Sequence, residues 1–221
     1  MHRIIRQIFI YLRILVRRVD SFRFDYFYAG RNLSRCDCGY RYASGVNPSQ
    51  SSPLWKIRYI FRNICRIEPG EVLVDAGCGH GRVIMWWLKH HRRNKIYGVE
   101  IDPQIAEQTR RLFVKYPNVE IIAGDILENL PENAGVFYLF NPFQQKIINL
   151  FKQKVEEKYR PGIKIIYYYP LCYSIFKIDP KWEVREFHKP EVLFAHRADF
   201  PFAVVMEYTG LKDETRDTDD G

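Results

Sequence analysis

Four polar groups stand where short apolar runs of this chain end. Asp75 closes Val72-Leu-Val74 and opens an Asp-x-Gly-x-Gly-x-Gly stretch through Gly77, Cys78, Gly79, His80 and Gly81. Glu100 ends Lys95-Ile-Tyr-Gly-Val, Asp125 follows Val119-Glu-Ile-Ile-Ala123, and Asn141 follows Gly135-Val-Phe-Tyr-Leu-Phe140. A glycine turn between a strand and a helix offers backbone N–H groups and a bare backbone to a ligand. The dinucleotide fingerprint G-x-G-x-x-G is not met, because Arg82 stands at its last glycine. A carboxylate at Glu100 can accept both hydroxyls of a ribose. Asp125 can accept from an adenine amino group, with Ile101 and Ile126 as apolar walls. Open α/β sheets bind ligands outside the carboxyl ends of their strands, so these groups point to one site.

Asn141-Pro142-Phe143 can act on a second substrate. An Asn amide oxygen and the carbonyl after it can accept from an amine and aim its lone pair. Phe143 can stack on a planar group or sit against a developing cation. The competing role for Asn141 is to cap the helix that follows. No general base stands out beyond His80, His90, His91, His188 and His196, which suits transfer to a neutral nitrogen better than to a hydroxyl. His90-His-Arg-Arg93 reads as a solvated helix end where cations meet the negative dipole. Of Tyr167-Tyr-Tyr169, at least one ring is expected in the substrate pocket and the others in the core.

The elements that must place these groups alternate in type from Glu71 onward, as βαβ units of a mostly parallel sheet do. Strands are expected at 72–75, 95–100, 119–123, 135–140 and 163–169. Helices are expected at 82–89, 103–116 (with Pro103 in its first turn) and 144–159, the last with Ile147, Ile148, Phe151 and Val155 on one side. Residues 182–188 and 202–208 have no helix-length pattern between them and are expected to pair antiparallel at the sheet edge. No internal repeat is present.

Upstream, residues 2–20 read as an amphipathic helix. Ile5, Ile8, Phe9, Leu12, Leu15, Val16 and Val19 share one face, with Arg3, Arg6, Arg13 and Arg17 opposite. Its arginines exclude a spanning helix, which needs about 20 mostly apolar residues, and no cleavage site of a secretory signal follows. Either the apolar face packs on the domain, or the helix lies in an anionic membrane interface. Residues 21–55 lack a period, carry Ser and Pro clusters, and are expected to form a loop or lid ahead of the site. Leu54 to Ile67 resumes helical spacing.

With 15 Tyr and 15 Phe in 221 residues, the composition is globular. The net charge is +8, but residues 211–221 carry five acids against Lys212 and Arg216, so the body before them carries +11. This tail is expected to be disordered. A basic body favours an anionic partner, nucleic acid or a membrane surface. The five cysteines, 36, 38, 65, 78 and 172, have no disulfide-scaffold spacing, so reduced thiols and a cytoplasmic location are expected. Cys36-Asp-Cys38 lacks the second pair a zinc site wants, so no metal is expected.

The glycine motif with its strand-end acids resembles the class I S-adenosylmethionine (SAM) methyltransferases over residues 68–208. The resemblance implies an α/β, Rossmann-like, seven-stranded, mostly parallel sheet. Its last strand is antiparallel, helices cover both faces, and the amphipathic helix precedes it. The domains would be an N-terminal region 1–67, the catalytic domain 68–210 and the tail 211–221. By resemblance Asp75, Gly77, Gly79 and Gly81 contact the methionine moiety, Glu100 the ribose and Asp125 the adenine, with Cys78, Ile101, Ile126 and Asn141 also at the cofactor. Asn141, Pro142 and Phe143 would lie beside the transferred methyl, with S-adenosylhomocysteine as product. His80, bulky between two glycines, departs from the commoner pattern. Phe140-Asn-Pro-Phe143 is similar to the Asn-Pro-Pro-Tyr/Phe motif of adenine and glutamine methyltransferases, with one proline fewer. It also resembles the matching segment of Dot1-like lysine methyltransferases and of bacterial members with Phe-Asn-Pro-Phe itself. The implied activity is N-methylation of a protein lysine or small-molecule amine. The rivals are a nucleic-acid base methyltransferase and a non-catalytic SAM-binding protein of the membrane surface, the latter peripheral at the inner face.

Overall fold

A computed structural model of the chain describes residues 2–34, 51–188 and 201–210. Seven strands form one sheet in the order β3-β2-β1-β4-β5-β7-β6. They are β1 (Leu73–Ala76), β2 (Ile96–Glu100), β3 (Val119–Ala123), β4 (Val136–Phe140), β5 (Lys164–Tyr168), β6 (Trp182–Phe187) and β7 (Ala203–Tyr208). The first five run parallel, and β7 pairs antiparallel with both β5 and β6. Central strands of a parallel sheet are covered on both sides, which is why β1 is four buried residues in a row.

Side chains alternate along each strand and so feed two cores. Leu73, Tyr138, Ile166 and Tyr168 join one cluster with α2 (Leu54–Asn63), α3 (Arg82–His90) and α4 (Pro103–Phe113). Val74, Phe137, Leu139, Ile165 and Tyr167 join the other, under α5 (Gln145–Lys158) and the short α6 (Ser174–Lys177). Order reverses between β1 and β4, and that crevice opens at the carboxyl ends where Asp75 and Asn141 stand.

The N-terminal region differs from expectation. α1 runs from His2 to Ala29, so residues 21–29 are helix and not the start of a loop. The reason is tertiary: Phe24 and Asp25 are buried on the domain, and the aromatic pairs Phe22–Tyr26 and Phe24–Tyr28 meet one turn apart. Gly30, at φ +66° and donating its N–H to the Tyr26 carbonyl at 3.1 Å, ends the helix in the left-handed cap. α2 stops at Asn63, earlier than Ile67.

The side of α1 that meets the domain is the second difference. Ile10, Arg17, Ser21, Phe24, Asp25 and Tyr28 are half-buried or buried and recur at helical spacing. The seven apolar residues Ile5, Ile8, Phe9, Leu12, Leu15, Val16 and Val19 are between 45% and 65% exposed. The apolar stripe therefore does not pack on the domain; it faces away. Cys36, Cys38, His196, residues 35–50 of the expected lid and the acidic tail lie outside the described residues.

Candidate active site

The glycine loop is held in place before any ligand is considered. Gly77 and Cys78 donate their N–H groups to the Val99 carbonyl at 2.8 and 3.0 Å, and Thr109 Oγ1 donates to the Gly79 carbonyl at 2.7 Å. Gly81 takes φ +81°, and a Cβ there would lie 2.4 Å from Phe113 Cε2. A glycine is required on both counts. Cys78 turns inward beside Gly98. Burial, then the charges of Glu100 and Asp75, push its thiol up, so it is packing and not a nucleophile.

Two buried carboxylates flank this loop. Glu100 accepts from the N–H of Gly79 at 2.8 Å through one oxygen and from Asp102 N–H at 3.1 Å through the other. Burial raises its pKa, partly offset by those two bonds. Asp75, inside β1 and not beyond it, has its pKa raised well above the ordinary value by burial first and by the Glu100 charge second. Asp75, Gly77, Gly79, His80, Tyr138 and Phe140 line one pocket, closed on the far side by Ser51, Ser52 and Arg82. A buried carboxylate in the pocket wall, with a second one just behind the loop, favours a cationic ligand over an anionic one.

Asn141 stands at the end of β4 at φ +39°, in the left-handed region that Asn tolerates better than most residues. It does not cap α5, whose N-cap is Gln144. Instead the Tyr167 hydroxyl donates to its Oδ1 at 3.0 Å. Burial keeps that hydroxyl protonated far above its usual range. Pro142 lies against the glycine loop: a Cβ on Gly77 would be 3.5 Å from Pro142 Cβ. Phe143 is buried and packs toward Phe151 in the α5 core, 6.1 Å between rings. The aromatic wall of the pocket is Phe140, with Tyr168 4.6 Å behind it. Tyr169, at φ +55°, is the exposed member of the tyrosine trio.

Asp125 is at the end of β3, where the Gly124 N–H meets the Glu100 carbonyl at 2.9 Å. Its Oδ1 accepts from Leu127 N–H at 2.9 Å, which holds the loop in an Asx turn. Ile101 is half-buried beside Glu100, and Ile126 is buried against the lower core. The structure thus brings Asp75, the glycines, Glu100, Asn141 and Pro142 around one crevice, with Asp125 at its next strand.

Residues 73–157 match the family model described as a methyltransferase domain. Over that segment the chain is similar to methyltransferase domains. The fold of a Salinibacter ruber RNA methyltransferase, solved with S-adenosylhomocysteine, superposes with TM-score 0.52 at 19% identity, covering 77% of this chain and 99% of that one. A protein-lysine N-methyltransferase of Saccharolobus islandicus is 24% identical over 106 residues, 47% of this chain and 65% of that protein. An rRNA methyltransferase of Streptomyces thermotolerans is 34% identical over 61 residues, 28% of this chain and 20% of that protein. The chain spans less than two thirds of the length of these curated relatives.

SAM is the cofactor that this similarity implies, and the residues present are compatible with it. SAM carries a sulfonium and an ammonium group; the buried Asp75 lines the pocket, and the buried Glu100 stands behind its glycine loop at the Gly79 N–H. Among the described residues no cluster of ligands could hold a metal ion.

Two positioning contacts escaped sequence reading, Tyr167 to Asn141 and Thr109 to Gly79. Thr109 did leave a signal: it is the polar member of the buried Ala106–Thr109–Phe113 stripe of α4. Tyr167 left none that separates it from Tyr168.

Proposed function

We propose that this chain transfers the methyl group of SAM to nitrogen, on a protein lysine or a small-molecule amine. The observation that carries the reading is the seat of Asn141: left-handed, held at Oδ1 by Tyr167, and followed by a proline against Gly77. SAM supplies an electrophilic methyl group when bound. The chain's own part is to orient and dehydrate the acceptor. An amide oxygen has two acceptor sites, so Asn141 Oδ1 can take an amine N–H as well as the Tyr167 hydroxyl. That bond fixes the direction of the nitrogen lone pair, which is the main requirement when no base is needed. Phe140, Tyr138 and Tyr168 make the neighbourhood apolar, which favours the neutral, reactive amine over the ammonium form.

Glu100 serves the ribose, Asp125 the adenine and Asp75 the ammonium end in this reading, with Ile101 and Ile126 as apolar walls. The Phe-Asn-Pro-Phe segment at 140–143 supports a reading of kinship with bacterial methyltransferases that share it and, more distantly, with Dot1-like enzymes. Reduced cysteines support a cytoplasmic location.

The test is incubation of the protein and a cell lysate with SAM labelled on its methyl group, followed by separation into protein, nucleic-acid, lipid and small-molecule pools. Label in protein or amine pools that disappears with Asn141→Ala supports the proposal. Label confined to nucleic acid, or no label from a protein that binds SAM, overturns it.

A further inference from the structure

We propose that α1 docks the protein on an anionic lipid surface, lying in the interface with its outward stripe toward the acyl chains. The helix is anchored through its other side. Asp25 is fully buried with Arg82, Phe24 is buried beside it, and Asp20 pairs with Arg58 of α2. With that side fixed, the stripe from Ile5 to Val16 stays exposed to solvent, and Val19 borders the groove where α1 meets Trp55 and Arg82. The stripe continues into Phe22, Tyr26 and Phe27, exposed by 54, 47 and 81%. Aromatic rings at the end of an apolar stripe suit the headgroup boundary. No described helix is long and apolar enough to cross a membrane, so the geometry is that of a helix lying flat.

Charge selects the occupant. Before Asp20 the helix carries Arg3, Arg6, Arg13, Arg17 and Arg18 and no acid. Arg13 lies to one flank of the stripe and Arg18 to the other, both exposed, where long side chains reach headgroup phosphates while the stripe is buried. A second copy seated on the same face would bring two such arginine sets together, which like-charge repulsion opposes. Nucleic acid would satisfy the arginines but leave seven large apolar side chains in water. An anionic bilayer satisfies both at once. This inference stands apart from the methyl acceptor, since the stripe is remote from Asn141 in sequence and shares no residue with the pocket.

The experiment is flotation of the full chain with vesicles of phosphatidylcholine alone or of phosphatidylcholine with phosphatidylglycerol. SAM affinity and thermal melting serve as fold controls. The expected result is flotation with the anionic vesicles and little with the neutral ones. Leu12→Asp with Val16→Asp, both at exposed positions, should lower the floated fraction at least tenfold and leave SAM affinity unchanged. Arg13→Glu with Arg18→Glu should abolish the preference for anionic vesicles. The proposal is overturned if the Leu12→Asp, Val16→Asp protein floats like the parent, which would mean charge alone, or if neither vesicle recruits the chain. Concentration-dependent dimers dissolved by the same pair of substitutions, without flotation, would assign the stripe to a second copy instead.

Discussion

Arg82 and Asp25 form a buried ion pair between the first turn of α3 and the last third of α1. Asp25 receives Nε at 3.0 Å and Nη2 at 2.5 Å. The guanidinium also donates to the Ser52 carbonyl at 3.1 Å and to Ser34 Oγ, so every face of it is spoken for. Arg82 follows Gly81 directly, and the pair therefore ties the amphipathic helix to the glycine loop. Removing one partner strands a buried charge at a cost of about 3–5 kcal/mol. Asp25→Ala should lower the melting temperature by roughly 10 °C for a chain this size. Replacing both, as Asp25→Leu with Arg82→Met, should recover most of it. Equal melting for the single and double variants would show that the pair is not the source of the effect.

Gly81 and Gly70 make a matched contrast. Both take positive φ, at +81° and +90°, but a Cβ on Gly70 meets nothing within 4 Å while one on Gly81 strikes Phe113. Gly70→Ala should therefore cost only the conformational penalty, about 1 kcal/mol. Gly81→Ala adds overpacking against a buried ring and should cost about 3 kcal/mol or more in thermal or denaturant melting. It should also weaken SAM binding, because the loop must shift. Phe113→Leu in the same chain should return part of the loss.

The sheet was legible because its buried central strands β1, β4 and β5 write themselves as apolar runs, and each of the seven strands was found within a residue or two of its observed limits. Glu100 and Asn141 were legible because strand ends in such a sheet converge. The last turns of α1 were not, since their helix is held by Phe24, Asp25 and one-turn aromatic pairs, none of which follows the heptad-like period of residues 5–19. Asp25 is the plainest example. It is the one acid in the aromatic run Phe22–Tyr28, and its partner is 57 positions away. The Asn141 φ and its Tyr167 contact are likewise long-range, set by neighbouring strands β4 and β5.

Asp75 and Glu100 should give apo stability and SAM affinity opposite trends with pH. Both have folded pKa values raised by burial, so their contribution to stability is present at low pH and is lost as pH rises through the folded values. A cationic ligand reverses this by favouring the ionised carboxylates. SAM affinity should then fall as pH is lowered toward the carboxylate range, with protons released on binding. Asp75→Asn should melt higher than the parent without ligand at pH 7, yet bind SAM about tenfold more weakly, 1.4 kcal/mol. Calorimetry in buffers of different ionisation enthalpy checks the proton release; none above the carboxylate range would contradict the charge assignment.

Tyr167→Phe separates positioning from binding. The hydroxyl touches Asn141 Oδ1 and nothing in the cofactor loop, so its loss should leave the SAM Kd near the parent value. The Asn141 amide, at φ +39°, would then lose the hydroxyl contact that helps orient it while the ring still fills the core. One neutral hydrogen bond is worth about 1 kcal/mol, so kcat should drop by roughly fivefold to tenfold. The acceptor KM should change less, because the bond orders the amide for transfer more than it attracts the amine. Asn141→Ala in the Tyr167→Phe background should cost less than in the parent, since the two residues act as a unit. Additive losses in that cycle would mean that Tyr167 acts through the core and not through Asn141.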